Sequence, residues 1–320
     1  MTRTLFIINP ASALGSTRRL WATARQKVVA TGIEFDEYVT SRPGEATEVT
    51  RATLSSGSAN IIAVGGDGTL SEVVNGYFDE VGNIVDRDSA LGLLPSGTGS
   101  DFRRSLGTRT NDQLIRSILN TKTRSIDAAR AEFQNNKNEK SFHTFINVAS
   151  FGLGGDVSAL VNAWRGRLPR MISGRARFAA AAIAALRRYK NVEVSMMLDD
   201  RAINITSNLI VVANGRFAGG GMMLAPNAEL DDGLLDVILT DEVSRFDIVR
   251  ELGRIQRGAH LKHPKVTELH AREITVNASH PMPIDLDGEM VGTTPARITV
   301  LPSSIRFLSA DYAGDAEKED

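Results

Sequence analysis

Short apolar runs alternate with longer amphipathic stretches through the first 120 residues, and this alternation constrains the fold more than any other feature. The runs at 5–8, 35–39, 60–64 and 90–94 predict strands, and the stretches at 18–30, 45–55, 69–77 and 112–119 predict helices. Strands that alternate with helices form parallel βαβ units. We therefore predict an α/β domain over 1–127, with ligands bound beyond the carboxyl ends of its strands.

The pattern changes near Asp127. Strand-like segments then dominate, at 128–133, 142–148, 192–198, 203–213, 235–240, 273–276 and 297–301, and helical patterns interrupt them at 178–190 and 245–256. Many strands with few helices predict a mostly antiparallel β-sandwich domain over 128–301. We expect 302–312 to rejoin the first domain and 313–320 to form a flexible acidic tail.

Composition excludes several classes of protein. The chain has 37 Lys and Arg against 38 Asp and Glu, a net charge of −1, which argues against a dedicated nucleic-acid binder. It has no cysteine, which excludes disulfides, thiolate zinc sites and cysteine nucleophiles and fits a reducing cytosol. Its longest apolar run, 178–186, is too short to span a membrane.

Two glycine-rich segments follow neighbouring strands. The first reads Gly-Gly-Asp-Gly-Thr-Leu-Ser-Glu from Gly65, and its backbone amides, followed by a helix start, suit phosphate oxygens. Thr69 would cap that helix or donate to a phosphate. Asp67 fits beside phosphates only with a divalent cation between them. The alternative is a tight turn with an exposed Asp67.

The second segment reads Leu-Pro-Ser-Gly-Thr-Gly-Ser-Asp-Phe from Leu94. Like the first, it combines glycines, hydroxyl residues and a carboxylate. Neither segment is a Walker A loop, because no Gly-Lys-Ser/Thr follows, and neither has the dinucleotide spacing Gly-x-Gly-x-x-Gly. Together they predict a nucleotide site that uses backbone amides and Mg²⁺ in place of a loop lysine.

Acidic residues mark two places in the second domain. Asp285, Asp287 and Glu289 end a strand-like run, and a carboxylate there could accept a proton from an attacking hydroxyl. A solvated hairpin turn is the alternative. Asp231 and Asp232, before Gly233, also indicate a turn, although a turn presents carbonyl groups to a metal ion.

A basic and apolar segment spans Arg165–Lys190. The wider stretch 157–191 contains no acid and suits an anionic bilayer surface, with a solvated helix and loop as the alternative. His260 and His263 have the spacing of a metal pair. Since Pro264 follows at once and no third ligand is near, we interpret them as residues of a helix end.

The motifs occur in the order found in soluble bacterial diacylglycerol kinases, and the chain resembles that family from residue 5 to about 308. The resemblance rests on Asn-Pro at 9–10, Gly-Gly-Asp-Gly-Thr at 65–69, Leu-Pro-x-Gly-Thr-x-x-Asp-Phe at 94–102, Asp-Asp-Gly-Leu-Leu-Asp at 231–236 and Asp-Gly-Glu at 287–289. The family includes sphingosine and ceramide kinases, and its nucleotide domain is similar to those of NAD kinases and phosphofructokinases.

The resemblance implies site residues position by position. Glu289 would be the proton acceptor, and Asp287 would share catalysis or hold metal. Mg²⁺ would use Asp232, the carbonyl groups of Glu229 and Leu234, and Asp67. Ser100 departs from the family pattern, which has Asn there. The implied ATP-binding residues are Asn9, Pro10, Ala11, Ser12, Ala13, Thr40, Gly65, Gly66, Asp67, Gly68, Thr69, Leu70, Ser71, Glu72, Gly97, Thr98 and Asp101.

The implied activity is that of an ATP- and Mg²⁺-dependent lipid kinase, with diacylglycerol as the leading acceptor. A sphingoid base, a ceramide or another lipid alcohol is the first alternative, followed by a soluble acceptor such as NAD and by a catalytically silent sensor. The expected partners are the lipid, an anionic membrane surface and a second copy of the chain, with no nucleic acid. The expected location is the cytoplasm, peripherally on the inner face of the membrane.

Overall fold

A computed structural model describes residues 3–96, 100–107, 111–120, 122–135, 137, 139–164, 174–187 and 189–308. These residues fall into two compact units. The first contains the residues up to Ile126 and the segment that begins at Ser303, and the second contains Asp127–Pro302.

The first unit alternates strands and helices, as its apolar periodicity predicts. Its strands are Arg3–Ile8 (β1), Asp36–Val39 (β2), Ala59–Gly65 (β3) and Ala90–Pro95 (β4). Its helices are Thr17–Val29 (α1), Glu45–Ser55 (α2), Asp67–Gly76 (α3), Asp101–Ser105 (α4) and Asn111–Asn120 (α5).

The sheet of the first unit is parallel. Strand order is β2-β1-β3-β4, followed by the last residues of the long strand Glu289–Leu308, where Arg306 and Phe307 pair with Ala90 and Leu91. Phe6, Ile62, Val64 and Leu94 are buried in its core, packed against the apolar face of α1. The loops after β1, β3 and β4 therefore lie at one edge of this sheet.

The second unit is built mainly from antiparallel strands. After Thr123–Gln134 (β5), which begins in the first unit, they are Lys140–Phe145 (β6), Val148–Gly152 (β7), Val192–Leu198 (β8), Arg201–Ser207 (β9), Leu209–Ala213 (β10), Phe217–Ala218 (β11), Met222–Met223 (β12), Leu235–Thr240 (β13), Val266–Ala271 (β14), Glu273–Ala278 (β15), Pro283–Leu286 (β16) and Glu289–Leu308 (β17). Its helices are Leu153–Ala163 (α6), Gly174–Ala185 (α7) and Arg245–Glu251 (α8).

Two antiparallel runs of strands organise this unit. One runs β14-β13-β10-β7-β16-β17, and the other joins β17 to β15, β8 and β9. Strand β5 pairs with β17 and β6. Inward-facing residues of these strands, among them Phe133, Phe145, Phe151, Ile274 and Ile298, form one buried cluster. The predicted fold class, an α/β domain followed by a mostly antiparallel β domain, is confirmed.

Candidate functional site

The loop between β3 and α3 is shaped by glycine. Gly65 ends β3, Gly66 is extended, and α3 begins at Asp67, two residues earlier than predicted. A Cβ on Gly65 would overlap the Thr69 side chain, with Thr69 Cβ only 2.6 Å away, so no larger residue fits without movement. The first N–H groups of α3 have no partner within the helix, and together with its dipole they favour an anion at this point.

The loop after β1 is bound directly to this helix start. The Asn9 side-chain amide donates to Thr69 Oγ1 at 3.0 Å, and Asn9 Oδ1 accepts the Ala11 N–H at 3.0 Å. The Asn9 backbone N–H donates to the carbonyl of Val64 at 3.0 Å. Thr69 therefore lies inside α3 as a partner of Asn9, and its predicted alternative role as the helix cap is wrong.

A cluster of hydroxyl groups joins the ends of β1 and β4. Thr17 Oγ1 donates to Ser96 Oγ at 2.7 Å, and Ser12 Oγ lies 2.9 Å from the same atom. Ser96 is buried, and its backbone N–H donates to the Gly65 carbonyl at 2.8 Å. Ser96 and Thr17 are not among the predicted site residues, although hydroxyl residues after adjacent strands are the signal that could have found them.

Asp67 connects the two glycine-rich segments. Its carboxylate oxygens accept the backbone N–H groups of Asp101 and Phe102, at 3.0 and 3.2 Å, at the start of α4. Burial raises the pKa of Asp67, and these two hydrogen bonds oppose that rise. The alternative interpretation as an exposed turn residue is therefore wrong. Asp101 is buried and forms an ion pair with Arg104 at 2.6 Å.

The second glycine-rich segment is described only at its ends. Gly97 and Thr98 lie outside the described residues. Ser100, which departs from the family pattern, is buried, and its hydroxyl has no hydrogen-bond partner among the described residues. A serine therefore fits the position sterically without reproducing the contacts that a longer amide could make.

The remaining predicted ATP-binding residues surround the same sheet edge. Thr40 follows β2, and its N–H and hydroxyl both donate to the Ile8 carbonyl. Glu72 accepts the Ala46 N–H at 3.3 Å and so lies at the first turn of α2. Leu70 is buried in α3, so any ligand contact there would come from its backbone. The others are Pro10, Ala11 and Ala13 after β1 and Gly68 and Ser71 in α3.

Replacement of Gly65 by alanine should weaken nucleotide binding at least about tenfold while leaving the unit folded, because the new methyl group displaces Thr69 and the first turn of α3. Gly253→Ala is the matched control, since a Cβ there meets nothing within 4 Å and the residue lies in the second unit, outside the predicted nucleotide loops. Calorimetric titration with MgATP measures both variants. Equal weakening by the two substitutions would contradict the steric explanation.

In the second unit, Asp287 and Gly288 form the two-residue turn between β16 and β17. Both have positive φ, 50° and 93°, and Leu286 pairs with Glu289 across the turn. Such turns require two left-handed residues, which Asp-Gly supplies at low cost. The Gly288 carbonyl also accepts the side-chain amide of Asn162 on α6, at 3.4 Å.

The carboxylate of Asp287 is held by backbone groups. It accepts the N–H groups of Ile146, Asn147 and Val148, at 3.0, 3.1 and 2.9 Å, and its own N–H donates to the Val148 carbonyl. These bonds hold the hairpin turn against the backbone at 146–148. The structure therefore gives Asp287 an anchoring role, and its predicted share in catalysis stays a prediction.

Glu289 follows the turn as the first residue of β17, and its side chain is partly exposed. The anchored turn therefore fixes the backbone from which Glu289 projects. The proton-acceptor role of Glu289 stays a prediction.

Asp285, the third acid of the cluster, is buried on β16, opposite Ser150 of β7. Ser150 Oγ lies 3.4 Å from Asp285 Oδ2, and Oδ1 has no hydrogen-bond partner among the residues that the structure describes. Burial, together with the nearby charge of Asp287, raises the pKa of Asp285 to about 7, against the opposing hydrogen bonds of Ser158 and Ser150. The burial of Asp285 could not be predicted, because an Asp two residues before a turn is normally solvated.

Asp285→Asn should remove a pH dependence of stability. The folded-state pKa is raised, so the folded protein binds a proton that the unfolded chain has lost between about pH 4 and pH 7, and stability falls as pH rises through that window. The wild-type free energy of unfolding should drop relative to the variant by up to about 1.4 kcal/mol per pH unit. Urea unfolding measures this difference, with the exposed Asp200→Asn as control; a difference independent of pH would contradict it.

Apart from Asp67, the predicted metal residues lie around a turn at 230–234. Asp232 Oδ1 accepts the Leu234 N–H at 2.9 Å, and Asp127 Oδ2 accepts the Gly233 N–H at 2.7 Å. Glu229 and Asp232 are exposed, while Asp127 is fully buried. Carboxylates and carbonyl groups around a turn fit the hard oxygen donors that Mg²⁺ prefers. Among the described residues, no cluster of three or more acidic or histidine side chains has metal-binding geometry.

The paired histidines have structural contacts. His260 Nε2 lies 3.0 Å from the Leu224 carbonyl, His263 Nδ1 accepts the Lys265 N–H at 3.2 Å, and both rings are buried. Burial lowers the pKa of His260. These contacts agree with the interpretation as helix-end residues.

The basic segment Arg165–Lys190 is described only in part. Residues 165–173 and 188 lie outside the described residues, as does the tail at 309–320. Arg187 and Lys190 are exposed after α7, and Tyr189 between them is buried. Among the described helices, none has the length and apolar character needed to cross a bilayer.

Comparisons with known proteins agree with this fold and these loops. The family profile of the diacylglycerol kinase catalytic domain matches residues 3–131, and that of the YegS C-terminal NAD kinase beta sandwich-like domain matches residues 147–309. A diacylglycerol kinase of Bacillus subtilis (strain 168) is 29% identical over 310 residues, 96% of each chain.

Solved structures show the same fold. A crystal structure of a diacylglycerol kinase from Bacillus anthracis str. Sterne superposes with a TM-score of 0.68 at 19% identity, over 96% of each chain. Yeast NADH kinase superposes with a TM-score of 0.52 at 11% identity, over 96% of this chain and 82% of the other. An α/β unit and a β-sandwich unit therefore give this chain the fold of these diacylglycerol kinase and NADH kinase structures. This chain belongs to the diacylglycerol kinase family.

Proposed function

We propose that the chain is an ATP-dependent lipid kinase that phosphorylates a lipid hydroxyl, with diacylglycerol as the leading acceptor and phosphatidic acid as its product. The observation that carries the proposal is the start of α3. It follows a glycine that no other residue can replace without movement, and Asn9 and Asp67 tie it to the loops on either side. Such an arrangement of amides suits phosphate groups without a lysine.

Phosphoryl transfer depends on positioning and on neutralising charge. In the proposed reaction, Glu289 takes the proton of the lipid hydroxyl as that oxygen attacks the γ-phosphorus, and the bond to the leaving ADP breaks. Mg²⁺ supplies the positive charge that offsets the triphosphate. Asp67 is the candidate to hold it near the nucleotide, and Asp232, with the Glu229 and Leu234 carbonyl groups, is the candidate for a separate structural ion.

Proton acceptance by Glu289 is supported by contrast with its neighbours. Asp287 is occupied by three backbone N–H groups, and Asp285 is buried with a pKa of about 7. Glu289 directly follows the turn that Asp287 anchors, and it is partly exposed. General-base assistance of this kind contributes about 10²–10⁴-fold to a rate.

Transfer of label from [γ-³²P]ATP tests the proposal. Diacylglycerol, sphingosine and ceramide in mixed micelles, and NAD in solution, are offered separately with Mg²⁺. The proposal predicts label in phosphatidic acid. Label in sphingosine phosphate or ceramide phosphate alone would support a lipid kinase whose acceptor is not diacylglycerol. Label only in NADP would contradict the lipid kinase, and ATP binding without transfer to any acceptor would indicate a sensor.

A further inference from the structure

The segment from Ser244 to Lys262 presents an unusual surface. Phe246 is 74% exposed and Val249 is 49% exposed, although both lie on the short helix α8. Ile248 on the same helix is buried against Leu186 and Tyr189. The helix therefore has its own core contacts and still leaves a large aromatic side chain in solvent.

The exposed side chains form a stripe with helical spacing. Phe246, Val249 and Arg250 are separated by three and four residues and so share one face of α8. The chain continues in a turn beyond the helix, where the N–H groups of Leu252 and Arg254 donate to the Ile248 and Glu251 carbonyls. We call six exposed residues of this segment the α8 surface, namely Phe246, Val249, Arg250, Arg254, Arg257 and Lys262.

The charged residues of the α8 surface are all positive. Throughout 244–262, which the structure describes completely, every exposed charged residue is cationic. The two acidic residues of the segment form structural contacts. Asp247 forms the capping box of α8 with Ser244, and Glu251 is buried beside Arg250 and Arg254. Exposed cations around two exposed apolar side chains are complementary to an anionic bilayer.

We propose that the α8 surface docks the protein on an anionic phospholipid bilayer, with Phe246 and Val249 entering the headgroup boundary and the cations contacting lipid phosphates. A protein partner fits less well, because two exposed apolar side chains are far short of the roughly 800 Å² that each side of a stable interface contributes. A symmetric second copy would bring like charges together. The proposal does not depend on the kinase reaction, because docking needs neither nucleotide nor acceptor.

Flotation with vesicles tests docking by the complete chain. The protein should float with phosphatidylcholine vesicles that contain phosphatidylglycerol, and poorly with phosphatidylcholine alone. Phe246→Ser with Val249→Ser should reduce partitioning at least about tenfold. Arg257→Gln with Lys262→Gln should reduce it about fivefold for each charge removed. The matched controls are Val81→Ser, 64% exposed in the first unit, and Arg87→Gln with Arg201→Gln.

The absence of cysteine allows a second readout that a folding defect would not mimic. A nitrobenzoxadiazole dye on Phe246→Cys should shift to the blue with the anionic vesicles, and the same dye on Val81→Cys should not. Flotation unchanged by the Phe246 and Val249 substitutions would overturn the proposal. A change of oligomer mass in the same variant with unchanged flotation would assign the surface to a second copy instead, and would also overturn it.

Discussion

Replacement of Asp287 by alanine is expected to lower the free energy of unfolding by about 3–5 kcal/mol. The carboxylate accepts hydrogen bonds from the three backbone N–H groups of 146–148, and alanine would remove this acceptor from all three. The residue also has a φ of 50°, which alanine adopts only at a cost of about 1–2 kcal/mol. Urea and thermal unfolding measure the loss, which corresponds to about 10 °C in melting temperature.

Asp199 provides a matched control for this prediction. It also has a positive φ, 48°, in the turn between β8 and β9, and its carboxylate accepts the N–H groups of Arg272 and Glu273. Because Asp199 is exposed, water can replace its contacts, and Asp199→Ala should destabilise less than Asp287→Ala. Equal or smaller destabilisation by Asp287→Ala would contradict its role as the anchor of the hairpin.

Replacement of Glu289 by glutamine is expected to lower kcat for phosphoryl transfer by about 10²–10⁴-fold, with the fold and the affinity for MgATP unchanged. Glutamine keeps the size of the side chain and removes its capacity to accept a proton. Steady-state transfer to diacylglycerol measures the effect, and thermal unfolding checks the fold.

Glu193→Gln, at an exposed position of β8, is the control for the loss of one negative charge in the same unit. It should leave kcat within about twofold, because it lies outside the proposed site. Should Glu289→Gln retain most of the wild-type rate, the proton acceptor would have to be another group.

Helices and strands whose bounds depend on their local sequence could be predicted closely. The helix at 45–55 and the strands at 192–198 and 235–240 have the bounds that their apolar periodicity indicates. The glycine loop after β3 could also be predicted, because three glycines in four residues strongly favour a tight turn in which the backbone is open to a ligand.

Helices and strands whose bounds depend on contacts with residues remote in sequence could not be predicted. The predicted strand 142–148 is divided into β6 and β7, because the backbone at 146–148 donates to Asp287, about 140 residues away. The predicted strand 203–213 is divided at Asn208, whose carbonyl accepts the Leu153 N–H. Helix α6 was missed because its early glycines are typical of a loop. A Cβ on Gly154 would lie 2.6 Å from Ser150 Cβ, so helix packing requires the glycine.

The candidate site shows the same limit. Motif residues such as Asn9, Asp67 and Glu289 could be selected from the sequence, but their partners could not. The Asn9–Thr69 bond joins residues 60 positions apart, and the Ser12–Ser96 contact joins residues 84 positions apart. The burial of Asp285 likewise depends on β7 and α6, which are remote in sequence.

The most direct test of the account is single-turnover transfer of label from [γ-³²P]ATP to diacylglycerol by the wild type, Gly65→Ala and Glu289→Gln, with the concentration of MgATP varied. The account predicts label in phosphatidic acid and two distinct defects. Gly65→Ala should need more MgATP but approach the wild-type rate at saturation, whereas Glu289→Gln should saturate normally and transfer slowly. Absence of label in any lipid with the wild type, or the same defect in both variants, would contradict it.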